Sequence, residues 1–520
     1  MATPIVTRKS SYILNQFSRF HATPASLKQP ASSDRVKWED AKPFDQVPAA
    51  KRWPLIGTLW QMLPVVGIGI PPTNHVEFQE YQERAYGLII RDYFPGAPPI
   101  VWIKNPDDVE TVFRNEGNFP KRFGFDSVRK YREERVEYYT STGLLFAEGE
   151  DWWKLRSKVQ QSLLKPQNIY NYLPAINDIG HEFIDRIRLI RQENNEMKPD
   201  FLNELYRWAL ESVAVVAMNT RLGCLSPSLA PESEAQQIIN AVNTTFTEVA
   251  NLEMGLPIWK IVKTPALRRL FHAQDIFTKT SLKYINKTLE KIKNRPEGVD
   301  AEQTILEELL VRGMSQKDAL VMIIDMLMAG IETTSVTVSF LFYLLAKNPG
   351  KQELLRKEVL SVVGPRGAPV TVDALNQLRY LKACVKESIR LMPAGSGVAR
   401  ILANDAVLSG YQVPKGTLAV IPVHYLCSKE EHFPKSREFI PERWIKGHEM
   451  ESKPHPYVMV PFGFGRRMCP GRRLAEMEIC QLTAKIVQNF QMKYHHEDIS
   501  VVSRIGNIPD KPMRLTLVDL

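Results

Sequence analysis

A chain of 520 residues, 44% hydrophobic and 24% charged, reads as a soluble globular protein with ample core, in one large domain or about three ordinary ones. Sixty-seven basic against 58 acidic residues leave a net charge of +9, a mild excess that does not indicate nucleic acid. Cys224, Cys384, Cys427, Cys469 and Cys480 are scattered with no CxxC pair, which argues against a disulfide framework and a sequence-local zinc site.

Residues 1–33 contain Arg8, Lys9, Arg19 and Lys28, many Ser and Thr, and no acidic residue before Asp34. This is the composition of a mitochondrial transit peptide, with cleavage expected near residues 20–22; a secretory signal needs a clean apolar core. A disordered basic tail is the alternative. Residues 53–74 are uncharged and long enough to span a bilayer, but Pro54, Pro64, Pro71 and Pro72, with three glycines, break any helix there. The expected organisation is a transit peptide at 1–33, a proline-rich segment at 34–75 lying on the protein or a membrane surface, and a single domain over 76–520.

Further along, YGLIIRDYF and PPIVWIKN (86–105) predict paired strands. From about 150 to 400 helical periods dominate, including 205–220 and 318–348. The helix over 318–348 places Ala329 and Gly330 at its centre, where Gly costs about 1 kcal/mol relative to Ala. Asp325, Ala329, Glu332 and Thr333 share one face there, and the Thr333 hydroxyl can bond the Ala329 carbonyl and open a groove. Close helix packing at Gly330 is the competing explanation. Residues 408–422 predict strand, turn and strand, with Lys415 and Gly416 in the turn.

The stretch FGFGRRMCPG (462–471) sets one thiol in a loop with Gly463, Gly465 and Gly471, just before a helical stripe of Leu474, Met477, Leu482, Ile486 and Phe490. Pro470 fits the first helical position. The helix N-terminus, with Arg466 and Arg467 nearby, is expected to favour the Cys469 thiolate, which is either a nucleophile or a metal ligand. Two other patterns look dull alone: Glu387 and Arg390 at i, i+3 suit a surface pair, and Trp152 and Arg156 at i, i+4 suit a solvated amphipathic helix.

Together, in this order, these stretches resemble the cytochrome P450 family over about residues 45–520. The haem-loop pattern F-x-x-G-x-R-x-C-x-G is matched by Phe462, Gly465, Arg467, Cys469 and Gly471, and A-G-x-[DE]-T by Ala329, Gly330, Glu332 and Thr333. E-x-x-R is matched by Glu387 and Arg390, with Arg443 of PERW as third partner, and W-x-x-x-R by Trp152 and Arg156. The resemblance implies a mainly α fold with small β-sheets, holding haem b through Cys469. It implies that Phe462 packs on the sulfur and that Arg467, Trp152, Arg156 and Arg400 meet the propionates. Glu387, Arg390 and Arg443 become a structural network, and Glu332 and Thr333 organise proton delivery. The implied activity is O2-dependent hydroxylation of a small lipophilic substrate, sterol-, steroid- or ecdysteroid-like or xenobiotic.

The transit peptide, with residues 207–225, makes the chain similar to the mitochondrial clan of animal P450s, and the wording of the haem loop to arthropod members. Such proteins sit peripherally on the matrix side of the mitochondrial inner membrane. They receive NADPH-derived electrons through a reductase and a [2Fe–2S] ferredoxin. Lys382, Lys386, Arg472 and Arg473 match the docking positions for that acidic partner. A haem-thiolate binding or sensor protein without turnover is the competing class. GFGRRM is not a dinucleotide loop, because Met468 replaces the third glycine.

Overall fold

The computed structural model describes residues 36–520 apart from 64–66, 72, 165, 228, 231, 254 and 295–304. The expected transit peptide at 1–33 therefore lies outside the described residues. The helices are α1 His75–Tyr86, α2 Pro106–Arg114, α3 Asp126–Glu133, α4 Gly149–Leu164, α5 Pro166–Tyr170, α6 Leu173–Ile190, α7 Phe201–Met218 and α8 Glu234–Glu253. They continue with α9 Pro265–Lys293, α10 Ile305–Val311, α11 Gln316–Lys347, α12 Pro349–Val362, α13 Val372–Gln377, α14 Arg379–Leu391, α15 Val423–Ser428 and α16 Arg472–Asn489. The mainly α architecture with small sheets is as the sequence predicts.

Helix α11 is the axis of the molecule. Its sequence is apolar on nearly every side, so it is stable only when surrounded, and it is enclosed by α7, α8, α9, α14 and α16. Ser315 caps it by accepting the Asp318 amide at 3.1 Å. Its length and apolarity match a membrane span, but most of it is buried inside the protein, as a core helix is. At Gly330 a Cβ would lie 2.7 Å from Val213 Cγ2 of α7, so close helix packing demands the glycine.

The strands are β1 Ile89–Asp92, β2 Ile100–Ile103, β3 Val398–Ile401, β4 Ala406–Leu408, β5 Tyr411–Val413, β6 Leu418–Ile421, β7 Phe490–Lys493, β8 Val501–Val502, β9 Ile508–Pro509 and β10 Thr516–Asp519. The largest sheet runs β1-β2-β6-β3, with β1 and β2 antiparallel as expected, Ile89 facing Ile103. The turn at Lys415–Gly416 joins strands of different sheets: β5 pairs with β4, whereas β6 lies between β2 and β3. Among the described residues of 53–74, the only helical piece is a 3-10 turn at Leu59–Met62, consistent with the proline count.

Candidate functional site

Cys469 lies ahead of α16, in a loop closed by bonds from its own amide to Phe462 O at 2.8 Å and from the Met468 amide to Gly465 O at 3.1 Å. Helix α16 begins at Arg472 with Gly471 as N-cap, so Pro470 falls outside the helix, two positions earlier than the sequence suggests. The bonded loop claims the backbone at 468–471 before helical geometry begins. The orphan amides of Gly471 and Arg472 then donate to the sulfur.

The charges at the sulfur also differ from expectation. Arg466 stacks on Trp153 at 5.5 Å, and Arg467 turns to the Ala147 carbonyl, with its guanidinium 4.6 Å from the Trp152 ring centre. The cations acting on Cys469 are Arg122 and Arg156. Burial pushes the thiol up from its ordinary range and outweighs these cations and the two amides. Arg122, which the sequence reading did not single out, also donates to Arg467 O at 2.7 Å.

Trp152 and Arg156 are 1% and 3% exposed, so α4 turns this pair inward and the solvated-helix expectation fails. Arg400 is brought to the same cluster, but its nitrogens are occupied: Nε by Glu116 at 2.8 Å, Nη1 by Ala399 O at 3.0 Å and Nη2 by Phe464 O at 3.2 Å. Arg467 is different. Its Nε and Nη1 are buried without partners, as is Nε of Arg156. Burial, reinforced by Arg122 and Arg400, pulls the Arg467 guanidinium down to about 9. Unneutralised cations with orphaned N–H groups around a thiol are the chemistry that a dianionic metal macrocycle satisfies: carboxylates for the arginines, a metal for the sulfur.

On α11 the Thr333 hydroxyl donates to Ala329 O at 2.6 Å, as the sequence anticipates, and Thr333 is exposed. Glu332 is buried with Oε2 unpartnered; burial pushes its carboxyl up to about 8 against the pull of Arg504. Asp325 does not join them. It is bonded to Arg132 of α3 at 2.7 Å, both side chains being buried.

Glu387 and Arg390 of α14 form a buried network and not a surface pair. Arg390 bonds both Glu387 oxygens at 2.8 and 2.9 Å, and Arg443 and Trp444 each donate to Glu387 at 2.9 Å. The arginines also bind the carbonyls of Cys427, Ser436, Glu438, Pro434 and Lys435, knitting the 427–444 segment to α14. On the outer faces of α14 and α16, Lys382, Lys386 and Arg472 are exposed and Arg473 half-buried. Arg472 pairs with Glu476 at 2.8 Å, and Lys386 Nζ lies 3.9 Å from the Trp444 ring centre.

A half-buried thiol capped by amides and flanked by arginines, in a fold built round one long apolar helix, defines the class: a haem-thiolate oxidoreductase. The chain belongs to the cytochrome P450 family, whose model matches residues 47–512. It is 37% identical over 519 residues to the probable cytochrome P450 49a1 of Drosophila melanogaster, covering 96% of this chain and 86% of the relative. It is 37% identical over 506 residues to that organism's probable cytochrome P450 12a5, mitochondrial, covering 93% and 92%. Against its cytochrome P450 302a1, mitochondrial, identity is 31% over 484 residues, covering 92% and 96%. The protein is thus a monooxygenase of a family that uses haem b and O2.

Proposed function

We propose that this chain is a mitochondrial monooxygenase that hydroxylates a small lipophilic substrate, in which Cys469 would hold haem b through its sulfur and Arg467, Trp152 and Arg156 would bind its carboxylates. The observation that carries the reading is the half-buried Cys469 beside arginines with unpartnered nitrogens. Haem held there supplies the redox iron at which O2 is reduced and an oxygen atom is made available to a C–H bond. A thiolate ligand favours O–O cleavage, and a coordinated thiol loses its proton whatever burial does to the free group.

The protein's own part is to orient and to move protons. Glu332, buried and protonated at neutral pH, is a proton store beside Thr333. The Thr333 hydroxyl takes up Ala329 O and leaves its own oxygen free to accept from water. The Phe462 ring, at the start of the thiol loop, lies 5.3 Å from the Arg472 guanidinium.

Electrons reach the site from NADPH through a reductase and a [2Fe–2S] ferredoxin that docks on Lys382, Lys386, Arg472 and Arg473. The likeness to two mitochondrial relatives and the basic composition of residues 1–33 support import with cleavage near 20–22. Residues 34–75 then lead into a single haem domain, 76–520. Leu55 at 94% exposure and Ile261 at 89%, with Ile258 and Val262 also exposed, suit peripheral contact with the inner membrane. Sterol-, steroid- or ecdysteroid-like compounds and xenobiotics are the candidate substrates.

Cys469→Ala is expected to abolish the thiolate-type absorption of the reduced carbon monoxide complex, while the other four cysteines are dispensable for it. Retention of that absorption would remove Cys469 as ligand. Turnover of a ligand selected by haem spectral shift, driven by NADPH, reductase and ferredoxin, separates an enzyme from a sensor.

A further inference from the structure

Away from the thiol loop, a cleft of about 690 Å3 opens between the end of α11, the start of α12 and the segment 435–450. That volume suits a small molecule. No residue assigned above to the haem, to proton delivery or to the ferredoxin lines it.

The buried carboxylate in its lining is Glu442. Oε1 accepts Lys351 Nζ at 2.7 Å and Tyr380 OH at 2.9 Å, whereas Oε2 is buried without a partner. Burial works against the charge, but the bonds from Lys351, the backbone and Tyr380 outweigh it and hold the carboxyl below its ordinary range. An ionised oxygen so placed calls for an N–H or O–H donor, because a bare buried acceptor is costly.

Beside it stand two buried rings, Tyr343 and Phe439. Tyr343 is fixed: its hydroxyl donates to Asp498 at 3.2 Å and accepts the Ile499 amide at 3.2 Å, and its ring is edge-on to Tyr494 at 5.0 Å. Lys435 and Arg437 are exposed, and among the described residues neither side chain has a carboxylate partner, whereas Lys347 is held by Asp498 at 2.7 Å. The cleft therefore offers a bare acceptor within, aromatic surface beside it and two unpaired cations at the solvent side. An alkylamine would satisfy Glu442 but leave the cations unmatched, and a plain phosphate would do the reverse.

The charge balance limits the anion. Lys347, Lys351, Lys435 and Arg437 face Glu438, Glu442 and Glu449 across the lining, four basic side chains against three acidic. That excess suits a single phosphate, while a triphosphate would crowd Glu438 and Glu449. A donor group, a flat ring and one phosphate are the parts of an amino-purine nucleotide.

We propose that this cleft binds a purine nucleoside monophosphate, its amino group donating to Glu442 Oε2 and its phosphate meeting Lys435 and Arg437. Glu442 is tied through Lys351 to α12 and through Tyr380 to α14, and Arg443, next in the chain, donates to Glu387 at 2.9 Å. An occupant thus braces the segment beside the Glu387 network and stabilises the folded chain by mass action.

The test is titration calorimetry on the haem-loaded full chain with AMP, adenosine, ribose 5-phosphate and ATP. The wild type is expected to bind AMP about tenfold more tightly than the other three, and to unfold at a higher temperature when AMP is present. Lys435→Asn with Arg437→Ala removes both unpaired cations from exposed positions, and Asn tolerates the φ of +55 at residue 435. This double variant is expected to bind AMP about tenfold more weakly but adenosine within about twofold of wild type. Glu442→Gln, which keeps an acceptor for Lys351, should weaken both; if it loses haem, the ligand series and the double variant still decide. The proposal is overturned by absence of AMP binding up to about 5 mM, by ribose 5-phosphate or ATP binding as tightly as AMP, or by an AMP affinity in the double variant within about twofold of wild type. Calorimetry needs no electron donor and no substrate, so failure here leaves the monooxygenase reading standing.

Discussion

Glu116 occupies the space that a side chain at Gly465 would need: a Cβ there would lie 2.0 Å from Glu116 Oε1. The same oxygen accepts the Arg466 amide at 2.9 Å, while Oε2 holds Arg400 at 2.8 Å. The glycine of the thiol loop is thus required both by its φ of +77 and by a carboxylate some 350 residues away in sequence, which keeps one of the four clustered arginines neutralised.

Gly465→Ala is expected to fail on both counts. The left-handed backbone alone costs about 1–2 kcal/mol, and the collision with Glu116 must be relieved by releasing Arg466 or Arg400. Purified protein should carry less haem per chain and lose it at lower temperature. Gly463→Ala, with φ +69 but no atom nearer than 3.9 Å, should be the milder change. Equal haem loss from the two variants would show that Glu116 adds nothing beyond backbone strain.

Thr333→Ala should leave ligand binding intact while diverting reducing equivalents to peroxide or water. The hydroxyl bonded to Ala329 O at 2.6 Å is an exposed polar group of α11, and burial pushes the carboxyl of the neighbouring Glu332 up to about 8. The measurement is product formed per NADPH consumed, together with peroxide yield. Unchanged coupling would take Thr333 out of proton delivery.

Much of this was legible because the motifs are local in sequence. The helix over 316–347, the strands around 86–105 and the thiol loop each announce themselves through residues a few positions apart. What could not be read was anything set by a distant partner. Glu387 and Arg390 look like an ordinary helix-surface pair until Arg443 and Trp444 close over them, and Trp152 with Arg156 looks solvated until α4 turns both inward. Glu116 and Arg122 carry no local pattern at all. Asp325 was read beside Glu332 because both lie on one face of a helix, but Arg132, 193 residues away in the chain, claims it. The direction of the Cys469 shift was misread for the same reason, since burial is a property of the whole fold.

Glu478 of α16 offers a pH test independent of the haem chemistry. It is 1% exposed, its Oε1 has no partner, and burial alone pushes its carboxyl up to about 8 from an ordinary 4.5. Below pH 4.5 the group is protonated folded or unfolded and contributes no slope. Between 4.5 and 8 only the unfolded chain ionises, so stability falls as pH rises, and above 8 the loss is complete. Glu478→Gln should remove this slope, leaving the variant more stable than wild type at pH 8 by on the order of a few kcal/mol. Thermal unfolding followed from pH 5 to about 8.5 checks it. Parallel curves for the two proteins would mean that Glu478 finds a proton donor or water in solution.

The last prediction concerns the proximal face. Helices α14 and α16 pack together, so Lys382 and Lys386 of one lie beside Arg472 and Arg473 of the other, next to the loop that holds Cys469. On the proposed reading, an acidic ferredoxin docking there would meet positive charge beside the loop that holds Cys469. Such complementarity acts mainly on encounter rate, and it weakens as salt shortens the screening length, roughly 10 Å at 0.1 M. The four positions are not equivalent tests. Lys386 covers the Trp444 ring, and Trp444 donates to Glu387, so Lys386→Glu disturbs the buried network as well as the surface. Arg473 is half-buried in the first turn of α16, so its reversal risks the helix start. Lys382 is the cleanest, since its side chain is exposed and its ammonium makes only a 3.3 Å bond to Asn376 O. Lys382→Glu should therefore leave the carbon monoxide spectrum and azole binding unchanged while slowing ferredoxin-driven first-electron transfer about tenfold at low salt, the equivalent of roughly 1.4 kcal/mol in the encounter. Stopped-flow reduction across an ionic-strength series is the measurement. Wild-type rates that ignore salt, or Lys382→Glu reduced as fast as wild type, would place the ferredoxin elsewhere.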